Sequence, residues 1–209
     1  MTDACNQSSP SFIRKFSHGR ERLSPIPNPI LNPIVFPMHF ADALTERVRK
    51  TSPVCVGLDP DRERLPEGVT RDAQGMHAFC RGILEAAAGI ASCVKLQLAS
   101  FELLRGEGMR VFWDLCTEAK ERGFLVIADG KRGDIGATSE AYAEAYLGSN
   151  SPIDALTVNP YLGSDTIKPF IERCTQNDKG IFILVKTSNP TSGELQDLPT
   201  GDEVVYEAL

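Results

Sequence analysis

Ala128-Asp129-Gly130-Lys131-Arg132-Gly133-Asp134-Ile135-Gly136-Ala137-Thr138 follows directly on the apolar run Phe124-Leu125-Val126-Ile127, and the reading of that junction decides the fold. The run is short, continuous and preceded by the helix stop Arg122-Gly123, which makes it a buried strand. Asp129 and Lys131 are then strand-end residues. Side chains two apart on an extended chain share a face, so this carboxylate and this ammonium point the same way out of an apolar strand. Gly133 turns the backbone before Asp134. Charges gathered at the carboxyl end of a parallel strand sit where open α/β sheets and βα barrels keep their ligand sites. Spacing alone also fits a solvated turn after a strand.

Outward from this junction the same grammar repeats. Phe40, Leu44 and Val48 stripe a helix over Phe40 to Lys50, which Ser52-Pro53 ends. Strands are expected at Val54 to Leu58, closing on Asp59-Pro60, and at Cys93 to Leu98, with Lys95 in its middle. A helix runs from about Thr70, Ser100 caps a short helix, and a break falls at Gly106 to Gly108 before a helix that lasts to Gly123. An alanine-rich helix from about Thr138 to Leu147 follows the opening strand. Then come a strand at Ile153 to Val158 and a helix from Ser164 in which Pro169 is tolerable only near the first turn. A strand at Ile181 to Val185 leads into a polar loop, Thr187 to Gly201, and Asp202 to Leu209 reads as a helix just begun. The strand starts recur about every thirty positions, the rhythm of parallel β/α architecture with continuous apolar strands covered on both faces. Four of the five expected strands carry polar or charged groups within them or at their carboxyl ends, which suits a barrel whose strands share one mouth.

Residues 1 to 37 stand apart. They hold six of the 14 prolines, too dense for any helical or strand period, and read as a disordered tail. Met38 is an alternative start. The repeating pattern occupies the remaining 38–209, and the 209-residue chain as a whole, 42% apolar and 24% charged, has an ordinary globular balance that could make one domain with a real core. A net charge of -6 with a pI near 5.2 argues against a nucleic-acid binder that works by neutralising phosphates. The six cysteines form no C-x-x-C pair and several fall inside apolar runs, as in a reduced, cytoplasmic protein without structural zinc. Only His18, His39 and His77 occur, none beside a plausible ligand set, so no metal site or Ser-His triad is expected. No apolar run approaches membrane-spanning length, and neither a G-x-G-x-x-G after the first strand nor a P-loop is present.

The ordered motifs V-C-V-G-L-D-P-D (54–61), V-K-L-Q-L-A-S-F-E (94–102), I-A-D-G-K-R-G-D-I-G-A-T (127–138), V-N-P-Y-L-G-S-D (158–165) and V-K-T-S-N-P (185–190) resemble those of the orotidine 5'-phosphate decarboxylases of the longer bacterial type. The resemblance runs from about Phe40 to the end and implies a TIM (β/α)8 barrel of the ribulose-phosphate-binding type. It implies cofactor-free decarboxylation of orotidine 5'-monophosphate to uridine 5'-monophosphate. In that reaction Lys131 is the cation and proton donor to C6, Asp129 lies beside the departing carboxylate, and Lys95 touches the ribose and Asp129. Asp134 then belongs to the site of a neighbouring subunit, so a homodimer is expected. Asp59 is matched to the ribose-hydroxyl acceptor, Thr138 to a contact across the dimer, and Ser188 to the reader of the pyrimidine edge. Two carboxylates flanking Lys131 favour its charged form, and preorganised charge is worth most where charge develops.

The short D-x-K-x-x-D motif alone is shared with magnesium-dependent sugar-phosphate lyases of the same barrel group, which remain a competing reading. A complete barrel needs eight βα units, whereas about five are legible. The family's phosphate-binding residues, which follow strands seven and eight, find no counterpart. The sequence therefore also supports a third reading, an incomplete and catalytically impaired fragment with open sheet edges.

Overall fold

The computed structural model describes residues 38–208; the proline-rich tail expected over 1–37 lies outside the described residues. Five parallel strands, β1 (Cys55–Leu58), β2 (Cys93–Gln97), β3 (Leu125–Arg132), β4 (Ala155–Val158) and β5 (Gly180–Ile183), stand side by side in sequence order. Helices alternate with them: α1 (Phe40–Lys50), α2 (Ala73–Ala87), the short α3 (Leu98–Glu102), α4 (Arg105–Glu121), α5 (Gly136–Leu147) and α6 (Ser164–Asn177). This is an arc of a TIM barrel, five βα units in which β1 and β5 have open edges among the described residues.

The two faces of the sheet bury different things. Val94, Leu96, Val126, Ala128, Leu156 and Val158 point into the layer of α2, α4, α5 and α6 and form the main core. Their alternates Cys93, Ile127 and Ala155 point to the concave face and join Phe40 of α1 in a smaller cluster, as period-two side-chain alternation requires. The helices present matching stripes: Met76, Cys80 and Leu84 on α2, and Val111, Phe112, Leu115, Cys116 and Ala119 on α4, are almost fully buried. Cys80, Cys93, Cys116 and Cys174 are buried free thiols, packed as small apolar groups, while Cys55 is exposed. Phe40 closes the amino-terminal end of the arc, meeting the Phe182 ring edge-on at 5.9 Å.

Four local expectations are corrected. Ser100 lies inside α3, which starts at Leu98 with Gln97 as its cap residue. Gly106 and Gly108 do not break the chain but sit in the first turns of α4. A Cβ at position 108 would lie 2.0 Å from the carbonyl oxygen of Phe101, so glycine is there to let α4 cross α3 closely. Pro169 falls beyond the first turn of α6, where its missing N–H costs one intrahelical bond that the buried Ile167 and Phe170 on either side of it offset. Before the final helical turn, α7 (Val205–Ala208), a two-stranded hairpin, β6 (Pro199–Thr200) with β7 (Glu203–Val204), occupies part of the stretch read as loop and helix.

Candidate active site

β3 runs through Asp129 and Lys131 to Arg132, so both are strand-end residues as expected, and its apolar first half anchors them at the carboxyl end of the sheet. Asp129 is only 8% exposed, which a carboxylate tolerates when its oxygens are fully engaged. Lys95 Nζ donates to Oδ2 at 2.5 Å and Lys131 Nζ to Oδ1 at 2.7 Å. The Thr157 hydroxyl adds a third donor to Oδ1 at 2.9 Å. Burial pushes the Asp129 carboxyl up, but the donors from Lys131, Lys95 and Thr157, with the charge of Lys95, outweigh it and hold it below the ordinary carboxylate range. The result is an alternating line, ammonium, carboxylate, ammonium, spanning β2 and β3.

The register explains the geometry. Gln97 of β2 lies opposite Asp129, so Lys95, two residues earlier on the same face, reaches along the strand to the carboxylate. Lys131 sits at φ 46°, in the left-handed region, where the ladder between β3 and β4 is irregular. Next to it, a Cβ at Gly130 would come within 2.6 Å of Leu98 Cδ1 and displace the end of that buried side chain. Asp129 and Lys131 line a cleft of about 150 Å³ between β3 and α3. Lys95 and Thr157 line a larger, apolar recess of about 390 Å³ on the concave face.

The other residues singled out from the sequence stand at the same ends of their strands but not in this line. Asp59, just past β1, accepts a 2.5 Å hydrogen bond from the Ser100 hydroxyl on α3. Asp134 accepts from the Ile135 backbone N–H at 2.8 Å, and no ion pair joins it to Lys131 among the described residues. Thr138, in the first turn of α5, is exposed. Ser188 is exposed on the loop after β5, where its neighbour Thr187 is tied to Gln196 by hydrogen bonds of 2.9 and 2.8 Å. Thr157 and Ser100 were missed. A hydroxyl inside the otherwise apolar Ala155-Leu156-Thr157-Val158 was the available signal for the first.

The model of the orotidine 5'-phosphate decarboxylase / HUMPS family matches residues 52–209. The chain is 45% identical to an orotidine 5'-phosphate decarboxylase of Rhodopirellula baltica, over 82% of this chain and 62% of that one. It is 44% identical to that of Deinococcus radiodurans, over 80% of this chain and 60% of that one. Among solved structures, the OMP decarboxylase of Leishmania donovani superposes with a TM-score of 0.67 at 36% identity, covering 82% of this chain and 63% of that chain. The chain thus spans about three fifths of the length of the curated relatives it matches.

Proposed function

The chain belongs to the orotidine 5'-phosphate decarboxylase / HUMPS family, and from that premise we propose that it carries the reacting end of an orotidine 5'-monophosphate decarboxylase. The observation that supports this most is the contiguous line Lys95–Asp129–Lys131, held at 2.5 and 2.7 Å at the carboxyl end of the sheet. On this reading the bond between C6 of the pyrimidine and its carboxylate breaks, carbon dioxide leaves, and the electron pair stays on C6. Lys131 supplies the positive charge beside that carbon and then gives it a proton from Nζ, to be restored from solvent. Asp129 and Lys95 keep the ammonium in place, so that little reorganisation is needed as charge develops. Asp59 receives the ribose hydroxyls and Ser188 reads the pyrimidine edge.

Dimer formation is part of the same proposal. Ile135, Tyr161 and Leu162 are large apolar side chains 64%, 71% and 47% exposed on the loops that carry Asp134 and lead into α6. A second copy packed there would cover them and bring Asp134 and Thr138 to its own Lys131. The same reading has the enzyme in the cytoplasm with its nucleotide substrate.

The test follows the loss of the orotate chromophore on adding orotidine 5'-monophosphate, with and without a chelator, for the wild type and Lys131→Met. Chelator-insensitive turnover that falls by about 10²- to 10³-fold in the variant, the loss typical of removing one electrostatic contact to developing charge, is expected. Turnover abolished by the chelator, or equal in the two proteins, would overturn the assignment.

A further inference from the structure

β3 and β4 pair in register at Ala128 with Leu156 and again at Arg132 with Val158. Four steps along β3 therefore answer to two along β4, and Asp129, Gly130 and Lys131 together face the single residue Thr157. A surplus of this kind leaves backbone groups of the longer strand without ladder partners. Here the Lys131 N–H is one of them, and it donates to the Thr157 hydroxyl oxygen at 2.9 Å. The proton of that hydroxyl goes to Asp129 Oδ1, also at 2.9 Å, the oxygen that receives Lys131 Nζ. Thr157 is 9% exposed, so water does not readily take its place. One buried hydroxyl thus fixes the main chain of the lysine and the side chain of its partner at once.

We propose that Thr157 is a positioning residue for the reaction assigned above: it sets the left-handed backbone of Lys131 and the rotamer of Asp129, and so aims the ammonium. The inference rests on that functional reading for its catalytic meaning, but the geometry it describes exists without substrate. Valine keeps the shape of threonine and can neither accept nor donate; serine keeps the hydroxyl and loses a methyl. The depressed Asp129 carboxyl, to which the Thr157 hydroxyl contributes, gives the reporter.

Thr157→Val and Thr157→Ser are compared in two measurements, with Thr157→Ala in reserve should the valine variant fail to fold. In the first, the carboxyl carbon of Asp129 is titrated by NMR in the absence of substrate. The Asp129 midpoint is expected to rise in the valine or alanine variant and to stay near wild type in the serine variant. In the second, kcat falls about 10- to 100-fold in the valine variant, matching loss of one or two hydrogen bonds, while KM stays within about threefold and serine restores most of kcat. An Asp129 titration unmoved by valine overturns the proposal, as does a kcat lost equally in valine and serine. A midpoint that rises in a protein with no decarboxylase activity would uphold the positioning role and sink the functional reading instead.

Discussion

Replacing Lys95 by methionine removes the one side-chain donor to Asp129 Oδ2 while keeping an unbranched stem of similar length against the concave recess. The other oxygen retains Lys131 and Thr157; Oδ2 keeps no other hydrogen bond among the described residues. A hydrogen bond to a charged group is worth about 1.5–3 kcal/mol, and an orphaned buried acceptor costs a similar amount. The Lys95 side chain is 36% exposed, so water replaces part of what is lost and the lower half of that range applies. The variant should therefore be about 1.5–2 kcal/mol less stable at pH 7, or about 3–8 °C lower in Tm for a domain of this size. Because the folded carboxyl is held below its ordinary value, its stabilising contribution is complete above the unfolded value, near pH 4, and is lost as pH falls through the lower folded value. The difference between wild type and variant should accordingly be largest at neutral pH and shrink below about pH 4. Urea unfolding of both proteins at a series of pH values measures it. A difference under about 0.5 kcal/mol at pH 7, or one that persists undiminished in acid, would refute the view that Lys95 acts on the fold through Asp129.

Gly108→Ala drives a methyl to within 2.0 Å of the Phe101 carbonyl oxygen and 2.8 Å of Leu104 Cβ; separating α4 from α3 should cost at least about 1–3 kcal/mol, seen as a lower urea midpoint. Its neighbour Gly106, where a Cβ would meet nothing within 4 Å, is the control, and equal losses at the two positions would contradict the close-packing explanation. Asp178 ends α6 at φ 56° and ψ 36°, so Asp178→Gly should relieve left-handed strain and stabilise by about 0.5–1 kcal/mol; a fall in Tm would show that the aspartate contributes more there than its backbone costs.

How much of this was legible in the sequence depended on whether the deciding interaction was local. Strands announced themselves because parallel strands covered on one face by helices and on the other by the concave core read as unbroken apolar runs, and α1 was bounded correctly by its Phe40-Leu44-Val48 stripe and the Ser52-Pro53 stop. Counting along an extended strand pairs Asp129 with Lys131, as the structure does, although Lys131 itself is left-handed at φ 46° and not extended. Low helix propensity makes Gly106 and Gly108 read as a break; at Gly108 a contact with Phe101 on another helix decides the matter, while Gly106 meets no such neighbour. Thr157 was invisible for a different reason. Its partners depend on how β3 slips against β4, and the slip is a property of the pair of strands, absent from either one read singly.

That slip also bears on how a strained residue persists. A non-glycine residue in a sparsely populated region costs about 1–3 kcal/mol and survives only where its surroundings over-determine it. Lys131 is held from both flanks. On the concave side, Asp129 and Thr157 take its ammonium and its amide. On the helical side, Arg132 ion-pairs with Glu102 and lies over the rings of Tyr142 and Tyr146 at 5.5 and 5.7 Å. Tyr146 in turn stacks on Trp113 of α4. The peptide between Lys131 and Arg132 is thus pinned between a polar network on one face and an aromatic-lined one continuous with the main core on the other. Rotating it toward ordinary strand angles would break one network or the other. The large helical face supplies the stability, and the concave face is thereby free to keep like charges close and a lysine in a conformation that the residue, left to itself, would abandon.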